Sequence, residues 1–317
     1  MQRHTKQWSN PEDKYLEMRG KLQRGPLEFE TGIAAHEGEI MAIATRNVIS
    51  LPQTQSILMA LSKMTECHFR RLPVTDPGTN KLRGIITSGD VINLMGGGDK
   101  FRLVQVKHNG NLISALNESV SSAMTTQVTT LSHTARIADA VDVIVNKKIG
   151  GMPILDDTGS VTGIVTERDI LRILSSERSA GTIEDVMTAS PRVTTPDSPV
   201  GSVTKEMTKY RFRRLPVVSD DVLYGIITAT DIMRYLGSRE VFTRLVTGDI
   251  AEVMGLPVRT LVAGELRTTD PGTSINAAAQ QMLDRDIGAL PVIEDSRLVG
   301  LVTEFDLVRA FAGSGSK

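Results

Sequence analysis

One pattern recurs four times along this chain, and it limits the fold more than any other feature. The pattern is an apolar strand containing proline, a polar turn, a glycine-led apolar strand, and then Thr-x-x-Asp opening an amphipathic run. It is clearest in FRRLPVVSDDVLYGIITATD, Phe212 to Asp231. It returns as HFRRLPV…GIITSGD (His68 to Asp90), GGMPIL…GIVTERD (Gly150 to Asp169) and GALPVI…GLVTEFD (Gly288 to Asp306). Internal repeats mean that one supersecondary unit is stacked on copies of itself.

Each copy is preceded by a short lead-in (Ile40-Met41, Ala123-Met124, Val186-Met187, Val253-Met254). A short strand then ends on a hydroxyl residue, at Ser50, Thr130, Thr195 and Thr269. Apolar residues at helical spacing follow: Val200, Val203, Met207 and Tyr210 in the third copy, with Ser198-Pro199 as helix start, and Ile275, Ala278, Ala279 and Met282 in the fourth. Two strands joined by Asp/Gly/Asn turns come next, and a last amphipathic helix closes the unit. Each unit therefore reads β-α-β-β-α, an α+β class. The strand prolines Pro73, Pro153, Pro216 and Pro291 are expected near strand starts or at a sheet edge, because proline cannot donate to a ladder.

The copies alternate. The first and third carry Phe69-Arg70-Arg71 and Phe212-Arg213-Arg214 before the proline strand, whereas the second and fourth carry Ile149-Gly150-Gly151 and Ile287-Gly288-Ala289. Extra segments follow only the odd copies, from Gly96 to Ser119 and from Gly237 to about Gly264. Motif and spacing alternate together, which implies a duplicated pair. The expected domains are a loosely ordered N-terminal extension over 1–39, a first pair over 40–178 (repeats about 40–96 and 119–176) and a second over 179–317 (repeats about 183–237 and 250–313).

Composition narrows the function. The chain has 317 residues; 40% are hydrophobic but only 4% aromatic, so Val, Ile, Leu, Met and Ala must fill the cores. A formal charge of −1 gives no global attraction to nucleic acid or an acidic membrane, so any anion site must be local. A single cysteine, Cys67, excludes an intrachain disulfide framework, and no run is long enough to span a membrane. A cytoplasmic location is expected. The five histidines show no metal spacing. Gly96-Gly97-Gly98-Asp99-Lys100 lacks the spacing of a phosphate loop and reads as a flexible connection. No nucleophile–base constellation appears, so no enzymatic activity is expected.

The L-P-V strand followed by G-[IL]-[IV]-T-x-x-D resembles the cystathionine-β-synthase (CBS) domain, four times over. The insertion from Gly96 to Glu118, with FRRLPV and DIGALPV, is similar more narrowly to archaeal stand-alone four-repeat proteins related to the γ subunit of AMP-activated protein kinase. The resemblance implies two tandem modules forming a flat disc, with adenine nucleotides bound between the repeats of each pair. It casts Asp90, Asp169, Asp231 and Asp306 as acceptors for ribose hydroxyls, assisted by Thr87, Thr166, Thr228 and Thr303. Thr-x-x-Asp is equally a helix capping box, and the two roles are compatible. Arg70, Arg71, Arg213 and Arg214 become phosphate ligands, guanidinium being suited to paired phosphate contacts. Gly150, Gly151 and Gly288 either let backbone approach a ligand or relieve packing.

The residue before each aspartate is Gly89, Arg168, Thr230 or Phe305. The family often has a hydroxyl there, so Thr230 favours the third site and Phe305 disfavours the fourth. Ser50, Thr130, Thr195 and Thr269 match hydroxyls the family can turn toward ligand. The expectation is a non-catalytic sensor of AMP, ADP or ATP, with no resident cofactor, acting on a regulated protein the sequence does not name. A sensor of S-adenosylmethionine-type thioethers and an architectural scaffold are the rivals, and pairing of two discs into a homodimer is left open.

Overall fold

The computed structural model describes residues 37–176, 181–238, 241, 245–262 and 266–314. The expected extension over 1–39 lies almost wholly outside them. All four repeats share one plan. Repeat 1 runs Leu51–Pro52, helix Ile57–Glu66, hairpin Arg71–Thr75/Leu82–Thr87 and helix Ser88–Met95. Repeat 2 runs Leu131–Ser132, Ile137–Lys147, Gly151–Leu155/Val161–Thr166 and Glu167–Leu174. Repeats 3 and 4 place helices Val200–Tyr210 and Ile275–Asp284 before hairpins Arg214–Ser219/Val222–Thr228 and Ala289–Glu294/Arg297–Thr303. Helices Ala229–Gly237 and Glu304–Ser314 close them.

The short opening strand pairs parallel with the proline strand in the same register each time: Leu51 with Val74, Leu131 with Ile154, Thr194 with Val217 and Thr269 with Val292. The prolines sit one residue before that pairing begins. Their carbonyls still accept, from Thr194 N onto Pro216 at 3.0 Å and from Thr269 N onto Pro291 at 3.0 Å. The missing N–H thus falls outside the short ladder, as expected of strand prolines.

Lead-ins are exchanged within each pair. Thr45 bridges to Ile164 of repeat 2, Thr125 to Ile85 of repeat 1, and Thr188–Ala189 pairs with Leu301 and Gly300 of repeat 4. Helices join the pairs to each other. The second helix of repeat 1 packs on both helices of repeat 3, and the closing helices of repeats 2 and 4 pack on one another. One apolar cluster therefore spans repeats 1 and 3, from Ile57 and Met64 to Ile232 and Leu236. Gly96 marks the closest approach: a Cβ there would lie 2.3 Å from Thr204 O.

The two extra segments also meet. Leu112 N donates to Gly248 O (2.8 Å) and Ile250 N to Gly110 O (2.9 Å). Gly96 to Lys100 is not a free connection, contrary to the sequence expectation. Asn93 Oδ1 accepts from Lys100 N at 2.8 Å, which fixes the turn against the preceding helix.

Candidate functional site at the junction of four repeats

Each Thr-x-x-Asp forms a capping box. Asp Oδ2 accepts from the threonine N–H at 2.7 Å in repeat 1, 2.9 Å in repeats 2 and 3, and 3.0 Å in repeat 4. The same oxygen takes the hydroxyls of Thr87, Thr166, Thr228 and Thr303 at 2.6–2.7 Å. Each hydroxyl thus spends its one donor on the cap. Capping engages Oδ2 and leaves Oδ1 for other donors.

In three repeats an arginine one turn on meets that second oxygen: Arg172 on Asp169 (3.1 Å), Arg234 on Asp231 (3.0 Å) and Arg309 on Asp306 (3.5 Å). The D-x-x-R spacing was legible in the sequence but not singled out. Burial raises the carboxyl pKa of Asp169, Asp231 and Asp306 above the ordinary 3.8, against the threonine hydrogen bonds and arginine charges that lower it. In repeat 1 Asn93 stands at the arginine position, and Asp90 Oδ1 accepts instead from Lys100 Nζ and, at 3.2 Å, from Thr125 Oγ1.

The arginine pairs meet at the centre, and the two members of each pair go different ways. The first crosses to the other module: Arg70 pairs with Glu304 at 2.7 Å, and Arg213 with Glu167 at 3.5 Å. The second stays in its own module, under the glycines of the even repeat. A Cβ on Gly150 would lie 2.6 Å from Arg71 Nη2, and one on Gly151 2.3 Å from Arg71 Nη1. Arg214 donates to Gly288 O, and a Cβ on Gly288 would lie 3.3 Å from its Nη1. Gly151 also holds a φ of +145°, which side-chain-bearing residues rarely adopt. The even-repeat glycines thus make room for odd-repeat guanidinium groups.

Glu167 and Glu304, 2% and 1% exposed, are central residues that sequence reasoning missed. The signal was present: the residue after each motif threonine alternates Ser88, Glu167, Ala229, Glu304, in step with the arginine–glycine alternation. Arg168 joins them, with Nε on Glu304 at 2.7 Å and a second bond to Asp286.

The centre carries surplus positive charge. Four odd-repeat guanidinium groups face two buried carboxylates, and the Arg71 side chain makes no hydrogen bond or ion pair among the described residues. Burial, then repulsion from Arg213, pulls the Arg71 pKa down to about 9. Burial, then Arg213 and Arg70, brings Arg214 to about 10. Burial also opposes charge on Arg70, but Glu304 beside it raises its pKa overall.

Two cavities open from this centre. The first, of about 710 Å³, runs without interruption from Asp169 past Arg70, Arg71, Arg213 and Arg214 to Asp231 and Thr230. Lead-in residues Asn47 and Val48 contribute at one end and Arg267 at the other. The second, of about 440 Å³, lies beside the repeat 1 motif. Asp306 lines neither cavity, nor does the strand-end set Ser50, Thr130, Thr195 and Thr269. Ser50 bonds Thr75 (2.9 Å) and Thr195 bonds Ser198 (2.8 Å), local contacts that fix strand and helix ends. Residues one to three positions earlier reach the cavities before Ser50 (Asn47, Val48, Ile49), Thr130 (Gln127, Val128, Thr129) and Thr269 (Arg267). Among the described residues no helix is long and apolar enough to cross a membrane, and no group of His, Cys, Asp and Glu is placed to hold a metal.

Four exchanged β-α-β-β-α units around a shared charged centre define a tandem-repeat protein, and the chain belongs to the CBS domain family, which matches residues 38–97, 120–176, 183–238 and 252–313. It is 37% identical over 86% of its length to the uncharacterized protein MJ1225 of Methanocaldococcus jannaschii, covering 99% of that protein. The crystal structure of MJ1225, described as a proposed archaeal homologue of g-AMPK, superposes with a TM-score of 0.82. A 33.4 kDa protein from the ribosomal RNA operon of Thermofilum pendens is 26% identical over 81% of this chain and 86% of its own. A conserved protein of Pyrococcus horikoshii shares the fold at 20% identity, with a TM-score of 0.54, over 86% of this chain and 99% of its own.

Proposed function

We infer that the chain is a non-catalytic regulatory protein that binds adenine nucleotides (AMP, ADP or ATP) in the first cavity. The observation that carries this reading is the surplus of guanidinium charge between two aspartates, Asp169 and Asp231, that line the same cavity. Desolvated cations without matching carboxylates are costly, and a phosphate group neutralises them in paired geometry. Asp169 and Asp231 supply ribose acceptors, Ile164 and Ile226 apolar surface for a base, and Arg70, Arg71, Arg213 and Arg214 the phosphate contacts. The likeness to MJ1225, with its proposed relation to g-AMPK, supports an energy-sensing role.

Arginines from both modules line this one cavity, so the number of phosphates bound there would bear on how the modules meet. The test is calorimetric titration with adenosine, AMP, ADP and ATP. Affinity should rise from adenosine to the nucleotides. Equal affinity for adenosine and AMP would favour a thioether such as S-adenosylmethionine, and no binding at millimolar nucleotide would leave the scaffold reading.

A further inference from the structure

The first repeat keeps the capping box but closes it against ligand. Asp90 Oδ2 accepts from Thr87 N and Oγ1, both at 2.7 Å, and Oδ1 from Lys100 Nζ and Thr125 Oγ1. A carboxylate presents about four acceptor directions, so donors from the chain itself meet every one. The sequence arranges this through one residue. Asn93 replaces the arginine of the other repeats, and its side chain seats the turn that delivers Lys100.

The neighbouring cavity has a different character from the first. Thr87, Ser88 and Gly89 line it, but Asp90 does not. Its walls carry Arg70, Arg71 and Arg213 from the centre and Lys148 and Arg211 at the rim, with no Asp or Glu among the described lining residues. Asp169, Asp231 and Asp286 all line the first cavity. Lys148 and Arg211 occupy equivalent positions, each ending the first helix of its repeat in left-handed backbone at φ 53° and 58°. Neither makes an ion pair among the described residues. A concave, low-dielectric wall of one sign concentrates its field on the space it encloses.

We propose that the second cavity is an anion site for a compact inorganic polyphosphate of the pyrophosphate or tripolyphosphate class, read by charge and not through a ribose. Lys100 is the built-in occupant of the ribose acceptor. The Lys100 half rests on the reading of the motif aspartates as ribose acceptors; the anion half does not. Arg70, Arg71 and Arg213 line both cavities, so an anion here draws on the same charges as a nucleotide in the first.

The probe is inorganic tripolyphosphate, titrated calorimetrically into the full chain. Binding should weaken about tenfold or more in Lys148→Asn/Arg211→Asn. Both side chains are exposed, and asparagine tolerates left-handed backbone. Arg285→Ala, which alters the first cavity alone, should leave that binding unchanged. No binding, equal affinity in the double variant, or loss in Arg285→Ala would overturn the anion site. Lys100→Ala, titrated with adenosine, should gain one equivalent of binding that Asp90→Asn then removes; unaltered stoichiometry would overturn the role of Lys100. A wild-type chain that takes tripolyphosphate but neither adenosine nor AMP would defeat the nucleotide reading and leave the anion site standing.

Discussion

The Asp231 and Asp90 sites start from the same frame: a threonine closing a strand, an aspartate capping the next helix, and an Arg-Arg pair at the start of the preceding hairpin. They differ in what meets the second carboxylate oxygen. Asp231 meets Arg234, whose side chain is 49% exposed, and opens on the larger cavity. Asp90 meets Lys100, 21% exposed, together with Thr125, and lines neither cavity. A motif can thus keep its structural role in every copy while its second carboxylate oxygen meets one half-exposed side chain in one copy and two donors in another. The capping box accounts for the recurrence of the aspartate; the residue one turn later decides what the aspartate is free to do.

The largest expected effect falls on the centre that both sites share. Glu304 holds Arg70 and Arg168, and Glu304→Gln would strip Arg70 of its ion-pair partner and leave Arg168 with Asp286 alone. Breaking a buried pair in this way typically costs about 3–5 kcal/mol. Burial alone would raise the Glu304 pKa, but Arg70, Arg168 and Arg214 overcome it and lower it from 4.5 to about 2. At about 1.4 kcal/mol per pH unit, that drop is worth roughly 3 kcal/mol, of the same size as the pair-breaking cost.

The sign follows from proton binding. Between the two pKa values the unfolded chain holds the proton and the folded chain does not, so stability rises with pH across that interval. The contribution is complete above pH 4.5 and is lost as pH falls toward 2. Urea denaturation of wild type and Glu304→Gln across this range should give a stability difference that shrinks as pH falls. A constant difference would mean that the carboxylate is not what balances the centre.

The second effect separates the two sites directly. Asp231→Asn keeps the shape of the cap and removes the charged acceptor, so AMP affinity should fall about ten- to hundredfold, the worth of a charge-assisted hydrogen bond. Asp90→Asn should leave AMP affinity unchanged, because its acceptor directions are already filled. Isothermal titration of both variants decides the matter, and equal losses would erase the distinction between the sites.

The sequence makes one part of this contrast legible and hides another. Four repeats in register dictate the β-α-β-β-α element order and the capping boxes, because local pattern determines them, whereas the parallel pairing after each proline spans a helix and came from the structure. The arginine–glycine alternation pointed to paired repeats, and the same alternation at Glu167 and Glu304 was there to be read. Which module Arg70 and Arg213 would reach was not legible, since helix packing between repeats 1 and 3 and between 2 and 4 sets it. Nor was Lys100, whose contact with Asp90 depends on a turn fixed by one asparagine side chain. Ser50 and Thr195 show the other side of this: each hydroxyl has a local partner close by, and neither residue lines the cavities.

The smallest effect tests how firmly each second oxygen is held. Arg234 and Asp231 form an i, i+3 pair with a half-exposed guanidinium, so Arg234→Ala should cost no more than about 0.5 kcal/mol. Lys100 is better shielded and comes from a segment that must fold back to reach Asp90, so Lys100→Met should cost more, about 1–2 kcal/mol. Chemical denaturation of the two variants measures both. The difference between them reports how much more a ribose would have to displace at Asp90 than at Asp231. If the two substitutions cost the same, the first cleft is no more closed than the third, and the contrast between the sites must then lie in their cavities and not in their aspartates.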